Sequence, residues 1–293
     1  MAMTAKTFGY IRQLVLARSA IVLEPGKEYL VESRLGPLSK VHGFATLDEF
    51  ADAMEKAPFG TMHRQTVEAM TTNETSFFRD INPFDALKKT LLPEAIAKKA
   101  ASRQLNIWCA AAASGPEPYS VAMLLRESFP ELASWKVTFI ATDLSNAVLA
   151  KARSGRYGQL EVNRGLPASL LVKYFTKDGT EWVIREDIRS MIDFRELNLI
   201  EKWPLMPVFD IVMIRNVLIF FDIPTKKQIL ENIRQVMSPT GILMLGGAET
   251  TMGIDESFER VQVDKGVAYR QISSVSPVSP VSAVNAGSKY VAA

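Results

Sequence analysis

The sequence predicts an α/β protein: an all-α domain over residues 1–70, then, over residues 71–272, a domain built on a mostly parallel sheet closed by an antiparallel hairpin. Three observations carry that expectation. Short apolar runs ending in small or acidic residues recur between about residues 105 and 272, each followed by an amphipathic stretch, as when buried parallel strands alternate with helices. Before residue 70 the apolar residues recur at threes and fours. After residue 272 the chain repeats Val-Ser-Pro with neither period, so residues 273–293 are expected to form a mobile, disordered tail.

Taken in order, YIRQLVLARSAIVL, YLVESRLGPLSKVHG and TLDEFADAMEK read as helices, the last opened by Thr46 and Glu49 at the spacing of a capping box. The strands are LNIWCA, VTFIATD, DFREL, FDIVMI and GILMLG. FERVQV and VAYRQI then flank Asp264-Lys265-Gly266, a hairpin turn. Residues 155–195 interrupt the alternation, and Asp178-Gly179 there separates two short β-like segments, which predicts a small inserted β-subdomain. Trp108 and Cys109, inside an apolar strand, are expected in the core. Phe77 and Phe78 suit a helix start that packs the junction between the domains.

Composition excludes several functions. Thirty-four Lys plus Arg against 32 Asp plus Glu leaves a net charge of +2, too little for whole-chain attraction to phosphate, so nucleic acid is not an expected partner. The single Cys109, with His42 and His63, makes no cluster at metal-ligand spacing, and no metal site is expected; the histidines read as surface or capping residues. No apolar run approaches the roughly 18 residues that a membrane helix needs. The expectation is a cytoplasmic protein without membrane insertion and, in the absence of a heptad seam, a monomer.

The chemistry concentrates in LNIWCAAAASGPEPYSVAMLL, a strand, a turn of small residues and a helix with Pro118 in its first turn. A pyrophosphate would favour a glycine-rich turn, yet here only Gly115 is glycine and Glu117 sets a negative charge beside it. A ligand without phosphates that carries a cationic amine fits better. Asp143 ends the next strand, where a carboxylate can accept both hydroxyls of a ribose. A nucleoside with an ammonium group is S-adenosylmethionine.

Three blocks then carry a resemblance: Asn73-Glu74-Thr75-Ser76-Phe77-Phe78-Arg79, Ser114-Gly115-Pro116-Glu117-Pro118-Tyr119-Ser120, and Arg215-Asn216-Val217-Leu218-Ile219-Phe220-Phe221-Asp222. In that order they resemble the CheR family of chemotaxis receptor methyltransferases, over about residues 8 to 272. The resemblance implies a class I Rossmann-like methyltransferase sheet and transfer of a methyl group from S-adenosylmethionine to glutamate side chains on the cytoplasmic helices of chemoreceptors. The products are glutamyl methyl esters and S-adenosylhomocysteine. It also implies that Asn73, Thr75 and Arg79 lie at the methionine end of the cofactor, Glu117 near its ammonium and Asp143 on the ribose. Asn198 and Leu199 would flank the adenine, and Ile214, Arg215 and Asn216 would line the pocket below the sulfonium. Arg79 and Phe220 occupy the catalytic positions.

The chain departs from the family pattern in three places. Phe220 stands where many relatives have tyrosine, and Ala110 to Ala113 where relatives often have glycine and cysteine. The helix that carries Asp48, Glu49, Asp52 and Glu55 is acidic where the family docks receptors through basic residues, which leaves Arg12, Arg18, Arg34 and Lys40 to supply a positive patch. Two alternatives share the motifs: a cofactor- or receptor-binding module without transfer, and a methyltransferase for another acceptor.

Overall fold

The structure, a computed structural model, describes residues 3–272; the tail expected over residues 273–293 lies outside the described residues. Helices α1 (Ala5–Ser19), α2 (Glu28–Val41), α3 (Leu47–Lys56) and α4 (Thr61–Met70) pack around Ile11, Val15, Val31, Leu35 and Met70. Thr46 and Glu49 form the capping box of α3. The first helix stops before its apolar period does. Ala20 takes a left-handed φ of 54° and donates to the Leu16 carbonyl at 2.9 Å, which turns the chain so that Leu23 enters the core from a loop.

The acids of α3 are turned onto α1: Lys6 bridges Asp52 at 2.9 Å and Glu55 at 2.8 Å, and Asp48 accepts from the Thr4 and Thr7 hydroxyls. Of the basic residues expected to form a patch, Arg12, Arg18 and Lys40 are exposed. Arg34 is not available in that way, because its guanidinium donates to the Met70 and Thr71 carbonyls at 2.8 Å and caps the end of α4. Half-burial there lowers its pKa from the ordinary arginine value.

Residues 71–80 carry no helix, contrary to the helix start expected around Phe77 and Phe78. Phe78 and Asp80 take φ of 47° and 57°, which a right-handed helix forbids, and helix α5 (Ile81–Ala86) begins only afterwards. A π-helical stretch (Leu87–Leu91) joins it to α6 (Leu92–Lys99).

The sheet then begins with β1 (Gln104–Ala110), followed by α7 (Pro116–Ser128), β2 (Lys136–Asp143) and α8 (Asn146–Ser154). An insert comprises β3 (Arg156–Gly158), α9 (Gln159–Asn163), α10 (Ala168–Tyr174), β4 (Phe175–Asp178), β5 (Glu181–Ile184) and α11 (Glu186–Arg189). The chain returns with β6 (Asp193–Glu196), β7 (Phe209–Ile214), α12 (Ile223–Val236) and β8 (Met237–Leu245), and ends in the hairpin β9 (Phe258–Val263) and β10 (Gly266–Gln271). The seven strands run in the order β6-β2-β1-β7-β8-β10-β9; the first five are parallel and the hairpin is antiparallel. Two apolar clusters cover the two faces, and Trp108 and Cys109 are fully buried among them.

The insert is a three-stranded antiparallel sheet, β3-β5-β4, in which β4 and β5 flank the expected Asp178-Gly179 turn. Its body packs into the core of the main domain through Tyr157, Val162, Phe175 and Ile188, and at its neck the two ends are drawn together: Ile184 N–H donates to the Gly155 carbonyl at 2.9 Å, and Arg189 donates to the Ser154 carbonyl at 3.3 Å.

The order of connection locates the site. From β1 the chain builds outward through β2 and β6, then crosses back to lay β7 on the other side of β1. In open α/β sheets the crevice at such a switch point, beyond the carboxyl ends of the strands, receives the ligand. Ala110 pairs with Thr142 on one side and Ile214 on the other, so three strand ends arrive level there.

Candidate active site

A cleft with about 910 Å³ of free space, its mouth included, opens at those strand ends. Asn73, Thr75, Arg79, Glu117, Asp143, Asn198, Leu199, Arg215, Asn216 and Phe220 all line it. Ile214 does not: its side chain is fully buried in the core cluster beneath. Every position of β7 is buried, so periodicity gives no signal for which face Ile214 takes.

The floor is the turn after β1. Ala111, Ala113 and Gly115 take φ of 52°, 49° and 94°, a left-handed series that costs an alanine roughly 1–2 kcal/mol at each position. Donors from this turn reach the next strand. Ala112 N–H donates to the Thr142 carbonyl at 2.9 Å, and Ala113 N–H to Asp143 Oδ2 at 2.9 Å. Asp143 Oδ1 accepts from Ser145 N–H at 2.9 Å. Burial raises the pKa of this carboxyl above the ordinary aspartate value, against the lowering effect of its backbone donors.

Glu117, in the first turn of α7, meets the guanidinium of Arg215 at 2.6 Å. Arg215 is almost fully buried, and its other terminal nitrogen donates to the Arg79 carbonyl at 3.0 Å and to Asp80 at 3.1 Å. Arg215 therefore ties the floor to the roof rather than presenting a free charge. Glu74 is matched by Arg164 at the rim, which leaves Asp143 held by backbone donors.

The roof is the non-helical segment 71–80. Ser120 Oγ accepts from Phe78 N–H at 2.9 Å and donates to the Pro116 carbonyl at 2.7 Å. The insert braces it from outside: the Phe77 ring packs edge-on against Tyr157 and Phe175, and the Tyr157 hydroxyl donates to the Ser114 carbonyl at 2.7 Å. The helical domain supplies the remaining wall. Because α1 stops early, Ser19 and Ile21 reach the cleft, and Asn198 spends its side-chain amide on the Arg18 carbonyl at 2.8 Å. Sequence reasoning missed Ser19, Ile21 and Thr72, since none belongs to a strand end or a motif.

These residues fit S-adenosylmethionine. The turn meets the cleft with the methyl groups of Ala111, Ala112 and Ala113, so a flat nucleoside can approach its backbone, and the lone pairs that Asp143 does not give to Ala113 and Ser145 are free for ribose hydroxyls. Neither Asp143 nor Glu117 suits a phosphate, and both suit a ligand of positive charge.

Comparison with known proteins agrees. Residues 6–71 match the family described as CheR methyltransferase, all-alpha domain, and residues 73–267 match CheR methyltransferase, SAM binding domain. The chain is 38% identical over 267 residues to the chemotaxis protein methyltransferase Cher2 of Pseudomonas putida, covering 90% of this chain and 97% of that one. It is 39% identical to chemotaxis protein methyltransferase 1 of Pseudomonas aeruginosa over the same shares. A chemotaxis protein methyltransferase of Vibrio parahaemolyticus is 36% identical over 87% of this chain and 92% of its own.

Proposed function

Because the chain belongs to the CheR family and is an S-adenosylmethionine-dependent methyltransferase of chemotaxis, we propose that its acceptors are glutamate side chains on the cytoplasmic helices of chemoreceptors, which it converts to methyl esters. The observation that carries the reading is the meeting, in one cleft, of Asp143 and Glu117 with Arg79 and Phe220, each contributed by a different segment of the chain. In this reading residues 1–70 meet the receptor, residues 71–272 hold the cofactor, and the protein acts as a cytoplasmic monomer. No helix of the described residues is long and apolar enough to cross a membrane.

When bound, S-adenosylmethionine supplies an electrophilic methyl group on sulfur; transfer to a carboxylate oxygen breaks the sulfur–carbon bond and leaves S-adenosylhomocysteine. A glutamate carboxylate is ionised near pH 7, so the chain needs no general base. Its work is to hold acceptor and donor in line and to exclude water. Arg79 is half-buried and donates to the Glu74 carbonyl at 3.0 Å through Nη1, which leaves further donors to orient an incoming carboxylate. Asp143 holds the ribose and Glu117 the ammonium, the latter with its charge shared by Arg215. Asn73 and Thr75 serve the methionine end, and Asn198 and Leu199 the adenine.

Phe220 keeps the aromatic face of the family tyrosine, and a ring quadrupole attracts a cation by about 0.5–2 kcal/mol without any hydroxyl. The native enzyme is therefore expected to turn over, with Phe220→Tyr changing kcat by no more than about threefold. A native protein that is inactive until Phe220→Tyr is made contradicts this.

The acceptor is tested by incubating the protein with methyl-tritiated S-adenosylmethionine and a membrane fraction that contains the organism's chemoreceptors. Label on receptor-sized bands, released as methanol by base, is the expected result. Cofactor binding without such label sinks the glutamate reading and favours a binding module or another acceptor.

A further inference from the structure

We propose that Glu249, which lies outside the cleft lining, is a positioning residue that holds the cofactor-facing segment 216–221 in its binding conformation. The residue is 9% exposed, and its carboxylate gathers three backbone donors: Gly246 N–H at 2.6 Å and Asn216 N–H at 2.8 Å on Oε2, and Ile219 N–H at 3.3 Å on Oε1. Asn216 and Gly246 follow the neighbouring parallel strands β7 and β8, paired at Ile214 and Leu245, so one side chain joins two adjacent strand ends. The joined segment gives Asn216, Val217, Phe220 and Phe221 to the cleft.

The geometry around this carboxylate is built for close approach. A Cβ on Gly246 would fall 2.7 Å from Glu249 Oε2 and 2.8 Å from both nitrogens of Asn216. Asn216 sits at φ 59°, a left-handed conformation that asparagine adopts more readily than other side-chain-bearing residues, and its N–H bond to Glu249 anchors it there. An ionised carboxylate offers acceptors to all three donors at once; an amide offers one oxygen and turns its NH2 toward at least one N–H. Because Gly246 and Asn216 share Oε2, an amide oxygen there keeps both and sets its NH2 against Ile219 N–H, so the far end of the segment is released and must be ordered when the ligand binds.

The inference rests on the cleft being the cofactor site, and calorimetry with S-adenosylhomocysteine separates the two ideas. A native protein that fails to bind it overturns the cleft assignment itself. With native binding in hand, Glu249→Gln is expected to raise Kd about tenfold at unchanged stoichiometry, while kcat at saturating cofactor stays within about threefold. Glu249→Asp, which keeps the charge but shortens the reach, should fall between. A Kd within about twofold of native, or a loss seen only as fewer binding sites, overturns the positioning role. Failure of both variants to fold assigns Glu249 a structural role and overturns it equally.

Discussion

Asp143→Ala is expected to abolish measurable cofactor binding, with Kd raised by about 100-fold or more. A carboxylate that accepts two ribose hydroxyls contributes roughly 1.5–3 kcal/mol per charge-assisted hydrogen bond, and about 2.7 kcal/mol already corresponds to 100-fold. The same change orphans Ala113 and Ser145 N–H, so the floor turn loses its tether to β2. Asp143→Asn, which keeps one acceptor oxygen, should lose less. The pH dependence carries a definite sign. Burial raises the Asp143 pKa, so the contribution of its protonated form to folding is present below the unfolded pKa and is lost as pH rises through the folded value. Binding that requires the ionised form must therefore weaken at a higher pH than an ordinary aspartate would give. Calorimetry of S-adenosylhomocysteine from about pH 7 down towards about pH 5 reads this directly. An Asp143→Ala protein that binds within about tenfold of native removes the residue from the ribose site.

Gly165→Ala is expected to cost both stability and affinity, although the residue belongs to the insert and touches no ligand. Gly165 has φ +92°, and a Cβ there would fall 2.1 Å from the Phe77 carbonyl oxygen in the roof. Left-handed strain costs about 1–2 kcal/mol, and forcing the roof away adds about 1–3 kcal/mol as overpacking does. Gly179→Ala is the matched control: φ is +58° and nothing lies within 4 Å, so strain alone applies. Thermal melts should separate the two variants, and only Gly165→Ala should weaken cofactor binding. Equal melts and equal affinities would mean that the insert does not brace the roof.

Much of this molecule could be read before it was seen, for a physical reason. Parallel strands covered on both faces are continuous apolar runs, and FDIVMI and GILMLG announce themselves that way; the ligand crevice then follows from where such runs end. What escaped is set by tertiary contact. The period of α1 runs on through Leu23, and nothing local says that Ala20 will turn left-handed and bring Ser19 and Ile21 to the cleft. Arg34 looked like surface charge and is spent on two carbonyls. Phe78 and Asp80 resist any local rule, because their φ is imposed by the Ser120 and Arg215 contacts. Glu249 reads as one more polar residue after a strand until its three donors are found.

The neck of the insert has a consequence for how this chain can diverge. Strands β2 and β6 are neighbours, although residues 144–192 separate them. A coil of that length would have to be closed against its own entropy, but the hydrogen bonds at Gly155 and Ser154 close it at the neck. Length added beyond the neck then costs the sheet almost nothing, since loop-closure entropy grows only with the logarithm of length. The near side of the insert, with Tyr157, Arg164 and Gly165 against the roof, has no such licence. At its far edge, the exposed β4–β5 turn, the chain can be lengthened, shortened or recharged while the cleft stays as it is.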